Sequence, residues 1–110
     1  MNIQIFGQRK CFDTKKAERY FKERRIKFQA IDILDKGLSK GEYRSVSQAV
    51  GGMDELVNEK SKDFHLLNHL LRDQKEIMLI ENPSIFKTPI VRNGREATVG
   101  YKPEIWKNWE

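Results

Sequence analysis

Hydrophobic positions along the chain switch between two periods, and the switches predict the elements. Ile3, Ile5 and Phe6 form a short apolar run that Gly7 interrupts, which predicts a first strand. From Asp13 or Thr14 to about Arg25 the period is helical. Ala17, Tyr20 and Phe21 fall on one face of that helix, with Lys15, Lys22, Glu23 and Arg25 on the other. Either Asp13 or Thr14 is suited to cap it. Ile26, Phe28 and Ala30 then alternate with polar residues ahead of Ile31 and Ile33, the mark of a second strand. A strand, a helix and a strand within roughly thirty residues make a βαβ unit, with parallel pairing and a right-handed crossover.

Asp35-Lys36-Gly37 is a turn signal, and Ser39 to Glu42 has capping-box spacing. The helix it opens carries Tyr43, Val46 and Ala49 and ends at Gly51-Gly52. Met53 to Val57 predicts one more helical turn, and Phe64, Leu67, Leu70 and Leu71 repeat at helical spacing. Glu76 to Glu81 fits either a helix or a buried strand, stopped by Asn82-Pro83. Thr88 to Arg92 predicts a strand, Asn93-Gly94 a two-residue hairpin turn, and Glu96 to Val99 its partner strand. Pro103 fits the first position of a closing helix that holds Ile105, Trp106 and Trp109. The expectation is one α/β domain over residues 1–110: a βαβ plus ββα mixed sheet of thioredoxin-like type. A helical insert, approximately residues 39–82, separates the second and third strands. In that fold the loop after the first strand carries the reactive cysteine, and a proline opening the third strand, after a cis bond, lies beside it. Here those residues are Cys11 and Pro89.

Composition adds limits. With 38% hydrophobic and 34% charged residues, the core is modest and the surface heavily charged. No apolar run approaches the ~18 residues of a membrane span, and the N-terminus lacks a signal peptide's apolar stretch. The single cysteine cannot form an internal disulfide or a self-contained Cys-x-x-Cys couple, so a cytoplasmic location with no membrane partner is expected. One cysteine with His65 and His69 does not make a closed ligand set, so no metal is expected. Residues 1–27 hold nine Lys and Arg against three Asp and Glu, a balance of +6 within a chain of +5. Most of those charges alternate with apolar residues on one amphipathic helix and no nucleic-acid motif accompanies them. Direct nucleic-acid binding is therefore not expected.

Cys11 is where the chain's chemistry concentrates. It falls in a strand-to-helix loop at the positive end of a helix dipole, flanked by Arg9, Lys10, Lys15 and Lys16. Helix N-termini and cations lower a thiol from about 8.5 to roughly 3.5–7.5, and the same free N–H groups would receive an oxyanion. Asp13 works against the thiolate, and the plainer reading of an idle cysteine stays open.

The chain resembles the glutaredoxin-coupled arsenate reductases (ArsC) and their relatives, the Spx transcriptional regulators. The resemblance rests on Phe6-Gly7-x-x-x-Cys11, Lys16-Ala17, the run Gly52 to Val57, Ser61-Lys62, Pro83, Thr88 to Val91, and Val99-Gly100-Tyr101. It implies that Cys11 is a redox nucleophile, with no bound cofactor but glutathione or another small thiol as co-substrate. Glutaredoxin or another thiol protein would be its partner. The three arginines that hold the oxyanion in those reductases are replaced here, by Thr88, near Asp54 and near Gly100. The candidates left to support a thiolate or oxyanion are Arg9, Lys10, Thr14, Lys15, Thr88 and Pro89, with Arg92 and Arg95 as further possible clamps.

The insert and Val99-Gly100-Tyr101 look more like Spx, whose insert contributes to binding the C-terminal domain of the RNA polymerase α subunit. On that resemblance Tyr43 and Gly52 are candidate contacts. The second cysteine of the Spx switch is Thr14 here, which excludes an intramolecular disulfide switch. Two functions follow: a thiol-dependent oxidoreductase acting through Cys11, and, as the alternative, a regulator without turnover that docks on RNA polymerase. Burial preferences favour reading Tyr43, Phe64, Trp106 and Trp109 as packing aromatics over contacts.

Overall fold

A computed structural model describes residues 1–110. Its first strand, β1 (Ile3–Gly7), feeds helix α1 (Phe12–Glu23), which returns to β2 (Phe28–Asp32). Two short hydrophobic stretches around one amphipathic helix leave the chain little choice but to lay β2 parallel to β1, and the pairing runs from Ile3 with Phe28 to Gly7 with Asp32. The hairpin strands β3 (Ile90–Asn93) and β4 (Glu96–Val99) complete a four-stranded sheet of order β2-β1-β3-β4, with β3 antiparallel to both neighbours. This is the expected thioredoxin-like mixed sheet.

Between β2 and β3 lie α2 (Ile33–Lys36), α3 (Lys40–Val50), 3-10 turns at Met53–Glu55 and Phe64–Leu67, and α4 (Arg72–Glu81). After β4, α5 (Pro103–Trp106) runs on into a final 3-10 turn, Lys107–Trp109. Strand alternation sorts the core onto the two sheet faces. Ile3, Ile5 and Val91 pack with Ala17, Tyr20 and Phe21 of α1 and with Trp106 of α5. Phe6 and Ile90 point the other way, into a larger cluster built from the insert, with Tyr43, Val46, Leu56, Leu79 and Phe86 among its members. Burying a side chain such as Phe21 completely is worth roughly 1.5–3 kcal/mol, and its ring sits 5.2 Å from Trp106.

Several local expectations are corrected. Helix α1 begins one to two residues earlier, so Cys11 itself holds the N-cap position, and neither Asp13 nor Thr14 does. Asp35 and Lys36 belong to α2, where Asp32 caps the N–H of Leu34 at 3.0 Å and Gly37 ends the turn at φ +62°. Residues 76–81 are helical as part of α4. Only Phe64 to Leu67 forms the short turn, and Leu71 is instead the exposed N-cap of α4. Asn93 pairs with Glu96, so the hairpin loop is Gly94-Arg95, with Gly94 at φ +61°. The glycine takes the left-handed position itself, and this leaves Asn93 in the strand, its side chain accepting from the Asn2 N–H at 3.2 Å. The capping box opening α3 is present in full: Ser39 Oγ accepts from the Glu42 N–H, and Glu42 accepts from the Ser39 N–H.

Candidate functional site

Strand directions bring the site together. Because β3 runs antiparallel to β1, its N-terminal end lies beside the C-terminal end of β1. Phe6 pairs with Ile90, and Ile90 pairs in turn with Val99. The loop leaving β1, the Thr88-Pro89 segment entering β3 and the Gly100 segment leaving β4 therefore meet at one edge. The Thr88–Pro89 peptide bond is cis. The Gly100 N–H donates to the Pro89 carbonyl at 2.8 Å, which ties the last two segments together.

Cys11 is half-buried at this meeting point. Its carbonyl accepts the Lys15 N–H at 3.3 Å, while its backbone is extended, as an N-cap residue's must be. Its thiol donates to the Thr88 carbonyl at 3.5 Å, a contact that favours the protonated form. Partial burial also pushes the thiol pKa up. Four groups outweigh these: the hydroxyls of Thr14 and Thr88, and the N–H groups of Thr14 and Asp13 at the start of α1, hold it below its ordinary value. A thiolate at this N-cap would take the place of the side-chain oxygen that usually receives those N–H groups.

Thr14 is fixed by its surroundings. It is buried, and its hydroxyl oxygen accepts from the Gln8 N–H at 3.4 Å. A β-carbon on Gly7 would fall 2.2 Å from Thr14 Cγ2. Only glycine lets the strand end approach the first turn of the helix this closely.

The flanking cations behave differently from the expectation. Arg9 and Lys15 line a separate cleft of about 440 Å³ with Gly7, Gln8, Glu18 and Asp32, and not the one containing Cys11. Lys15 is one helical turn beyond Cys11, and its ammonium lies 5.9 Å from the exposed Phe12 ring. Lys10 is exposed. None of the three is among the groups that lower the Cys11 thiol, so hydroxyls and N–H groups, rather than neighbouring charge, favour its thiolate. Arg92 is also engaged elsewhere, donating to Gln4, Ser45 and the Gly94 carbonyl at 3.2 to 3.4 Å.

The cleft that does contain Cys11 spans about 720 Å³. Thr88 and Gly100, two of the positions where the resemblance implies an arginine, line it. Asp54 lies in another cleft, with Val57, Glu59 and His69. No arginine lines the Cys11 cleft. Its cations are Lys60, Lys87 and Lys102, which sequence reasoning does not single out. Lys87 directly precedes Thr88-Pro89 and could have been found from that adjacency; Lys60 and Lys102 come from the insert and the β4–α5 loop and carry no sequence signal.

The candidate partner-binding pair lies together in one cleft, with Arg44, Gln48 and Glu76 also in its wall. Gly51 and Gly52 end α3 at φ +101° and +122°, with open space around Gly51 and only the Arg72 guanidinium within 4.0 Å of a β-carbon at Gly52. Tyr43 is a core residue, 3% exposed, its ring 6.3 Å from Phe86, so it forms the inner wall of that cleft rather than an exposed contact. His65 Nδ1 meets the Lys62 carbonyl at 2.9 Å, and His69 takes a left-handed backbone at φ +65°. No group of three or more His, Cys, Asp and Glu is arranged to hold a metal ion, and no helix is long and apolar enough to cross a membrane.

Comparison with known proteins agrees with this architecture. The global transcriptional regulator Spx 2 of Oceanobacillus iheyensis is 34% identical over 128 aligned residues, covering 100% of this chain and 94% of its own. The global transcriptional regulator Spx of Listeria monocytogenes is 24% identical, covering 93% and 82%. Among solved structures, an arsenate reductase from Vibrio cholerae superposes with a TM-score of 0.85 at 22% identity, covering 98% of this chain and 97% of that one. The model of the ArsC family matches residues 6–109. With nearly its whole length matched, a thioredoxin-like fold and a cysteine at the start of the first helix, this chain belongs to the ArsC family.

Proposed function

We propose that the chain is a monothiol, thiol-dependent oxidoreductase in which Cys11 is the redox nucleophile. One observation carries this reading: Cys11 stands at the N-cap of α1, half-exposed in a cleft, with two hydroxyls and two main-chain N–H groups favouring its thiolate. The thiolate attacks one sulfur of a disulfide. A Cys11–sulfur bond forms as the original S–S bond breaks, and the second sulfur leaves as a thiolate with the bonding electrons. With no second cysteine in the chain, an external thiol such as glutathione or a thiol protein must then attack the mixed disulfide and restore Cys11. Pro89 and Thr88 would shape the groove where the substrate docks. An arginine-free cleft lacks the bidentate donors that suit a divalent oxyanion, so the site fits disulfide exchange better than arsenate reduction. Glutathione-dependent turnover of hydroxyethyl disulfide tests this, with Cys11→Ser as the blank. Turnover confined to the parent chain supports the reading, and equal rates for both proteins overturn it.

A second reading is favoured by the full-length similarity to Spx 2 and by the open Gly51-Gly52 corner: a regulator that docks through the insert on the α subunit of RNA polymerase. Reversing a charge on the exposed wall of that corner with Arg44→Glu leaves the left-handed glycines untouched. Capture of the C-terminal domain of α by the parent chain but not by the variant supports this reading. No capture by either, under reducing or oxidising conditions, removes it.

A further inference from the structure

Apart from the Cys11 cleft, the sheet itself creates a second crevice. Strands β1 and β2 are adjacent and parallel, and the chain leaves their carboxyl ends to opposite faces. Helix α1 packs with Ile3 and Ile5 on one face, whereas Ile33, which opens α2, joins Phe6 on the other. Adjacent parallel strands whose connections part in this way leave a gap beyond their carboxyl ends, the place where open α/β sheets hold ligands. The separate cleft of about 440 Å³ that contains Arg9 and Lys15 is that gap: Gly7 at the end of β1 and Asp32 at the end of β2 both line it. Its size falls within the roughly 300–1,000 Å³ of small-molecule sites.

The walls carry both signs of charge, and the charges do not neutralise each other. Arg9 comes from the loop after β1, Lys15 and Glu18 from α1, and Asp32 from β2. Glu18 has Lys15 three residues before it and Lys22 four residues after it, the spacings at which helical ion pairs form. Yet the one ion pair within 4.0 Å in the chain is Arg72–Glu76, so the half-buried Glu18 and Asp32 have no cation at that distance. Asp32 caps the Leu34 N–H with Oδ1, which leaves Oδ2 for a ligand. The apolar part of the wall is Ala30, exposed, and Ile31, half-buried. Opposite charges held apart beside an apolar strip are complementary to a small molecule that carries both charges and an apolar group.

We propose that this crevice binds a free α-amino acid with an apolar side chain. The ligand's carboxylate meets Arg9 and Lys15, its ammonium meets Glu18 and Asp32, and its side chain lies over Ala30 and Ile31. Binding here involves no covalent step and does not depend on the chemistry at Cys11, which lines the other cleft.

An NMR titration that follows the amide signals of Gly7, Gln8 and Asp32 tests this with three probes of one shape. L-leucine carries both charges, isocaproate lacks the ammonium, and isoamylamine lacks the carboxylate. L-leucine should shift these signals saturably, and each singly charged probe should bind roughly tenfold more weakly, given what a hydrogen bond between charged groups contributes. Glu18→Gln should weaken L-leucine by a similar factor and leave isocaproate unchanged. Arg9→Gln should weaken L-leucine likewise and leave isoamylamine unchanged. Signals outside the cleft that stay in place show that the variants are folded, and the three probes on the parent chain decide the matter without them. No saturable shift with L-leucine overturns the proposal, and so does isocaproate or isoamylamine binding as tightly as L-leucine, since one charge would then suffice.

Discussion

Gly7 backs directly onto Thr14: a β-carbon on the strand residue would lie 2.2 Å from the threonine's Cγ2 and 2.7 Å from its hydroxyl oxygen. The last residue of β1 thereby sets the position of the hydroxyl that supports Cys11. Gly7→Ala must push Thr14 or the helix start away, at a cost of roughly 1–3 kcal/mol for the overlap. The variant should melt several degrees lower, and its Cys11 should alkylate more slowly at neutral pH. An unchanged thiol in a destabilised protein would separate Gly7's packing role from any effect on the sulfur.

Thr14→Val keeps the volume and removes the hydroxyl. The thiolate loses one of its hydrogen bonds, so alkylation of Cys11 at neutral pH should slow by roughly tenfold, given what a hydrogen bond to a charged group contributes. Thr14→Ser should retain most of the parent rate. Restoration by serine distinguishes loss of the hydroxyl from loss of packing.

Thr98 and Trp106 form a buried pair, with the indole N–H donating to the threonine hydroxyl at 2.8 Å. Thr98→Val would leave that N–H without a partner in the core and should cost about 1–3 kcal/mol in urea unfolding. Thr98 is in the wall of the Cys11 cleft but is not among the groups that favour the thiolate, so this loss of stability should come with little change in the thiol itself.

Burial pushes the Tyr43 phenol up, and its hydroxyl has no hydrogen-bond partner. The unfolded chain ionises this tyrosine near pH 10 while the folded chain holds it neutral, so its contribution is fully present below that pH. It is lost as pH rises toward the folded value. Tyr43→Phe should be at least as stable as the parent at neutral pH, and it should lose less stability between roughly pH 9 and 11. Melting curves of the two proteins across that range check this.

The sheet is legible in the sequence because its strands are short, alternating and bracketed by strong punctuation. Gly7, the Ser39 capping box and Pro103 each mark a boundary by a local rule. The helix start near Cys11 is less legible, since cysteine is an unusual N-cap and Asp13 and Thr14 both carry better capping groups. Proximity along the chain also misleads the assignment of cations. Arg9 and Lys15 are close to Cys11 in sequence, yet they line a different cleft, whereas Lys60, Lys87 and Lys102 arrive from distant segments that only the strand order brings together. Tyr43 shows the reverse: an aromatic on an amphipathic helix can be read as contact or core, and the insert folds over it.

The central claim is that Cys11 is a stabilised, accessible thiolate, and the pH dependence of its labelling by iodoacetamide tests this most directly, with Cys11→Ser as the blank. The structure predicts a labelling rate whose midpoint falls below the ordinary thiol pKa of about 8.5. A rate that climbs as a free thiol's does, or a sulfur that does not label at all, would contradict it.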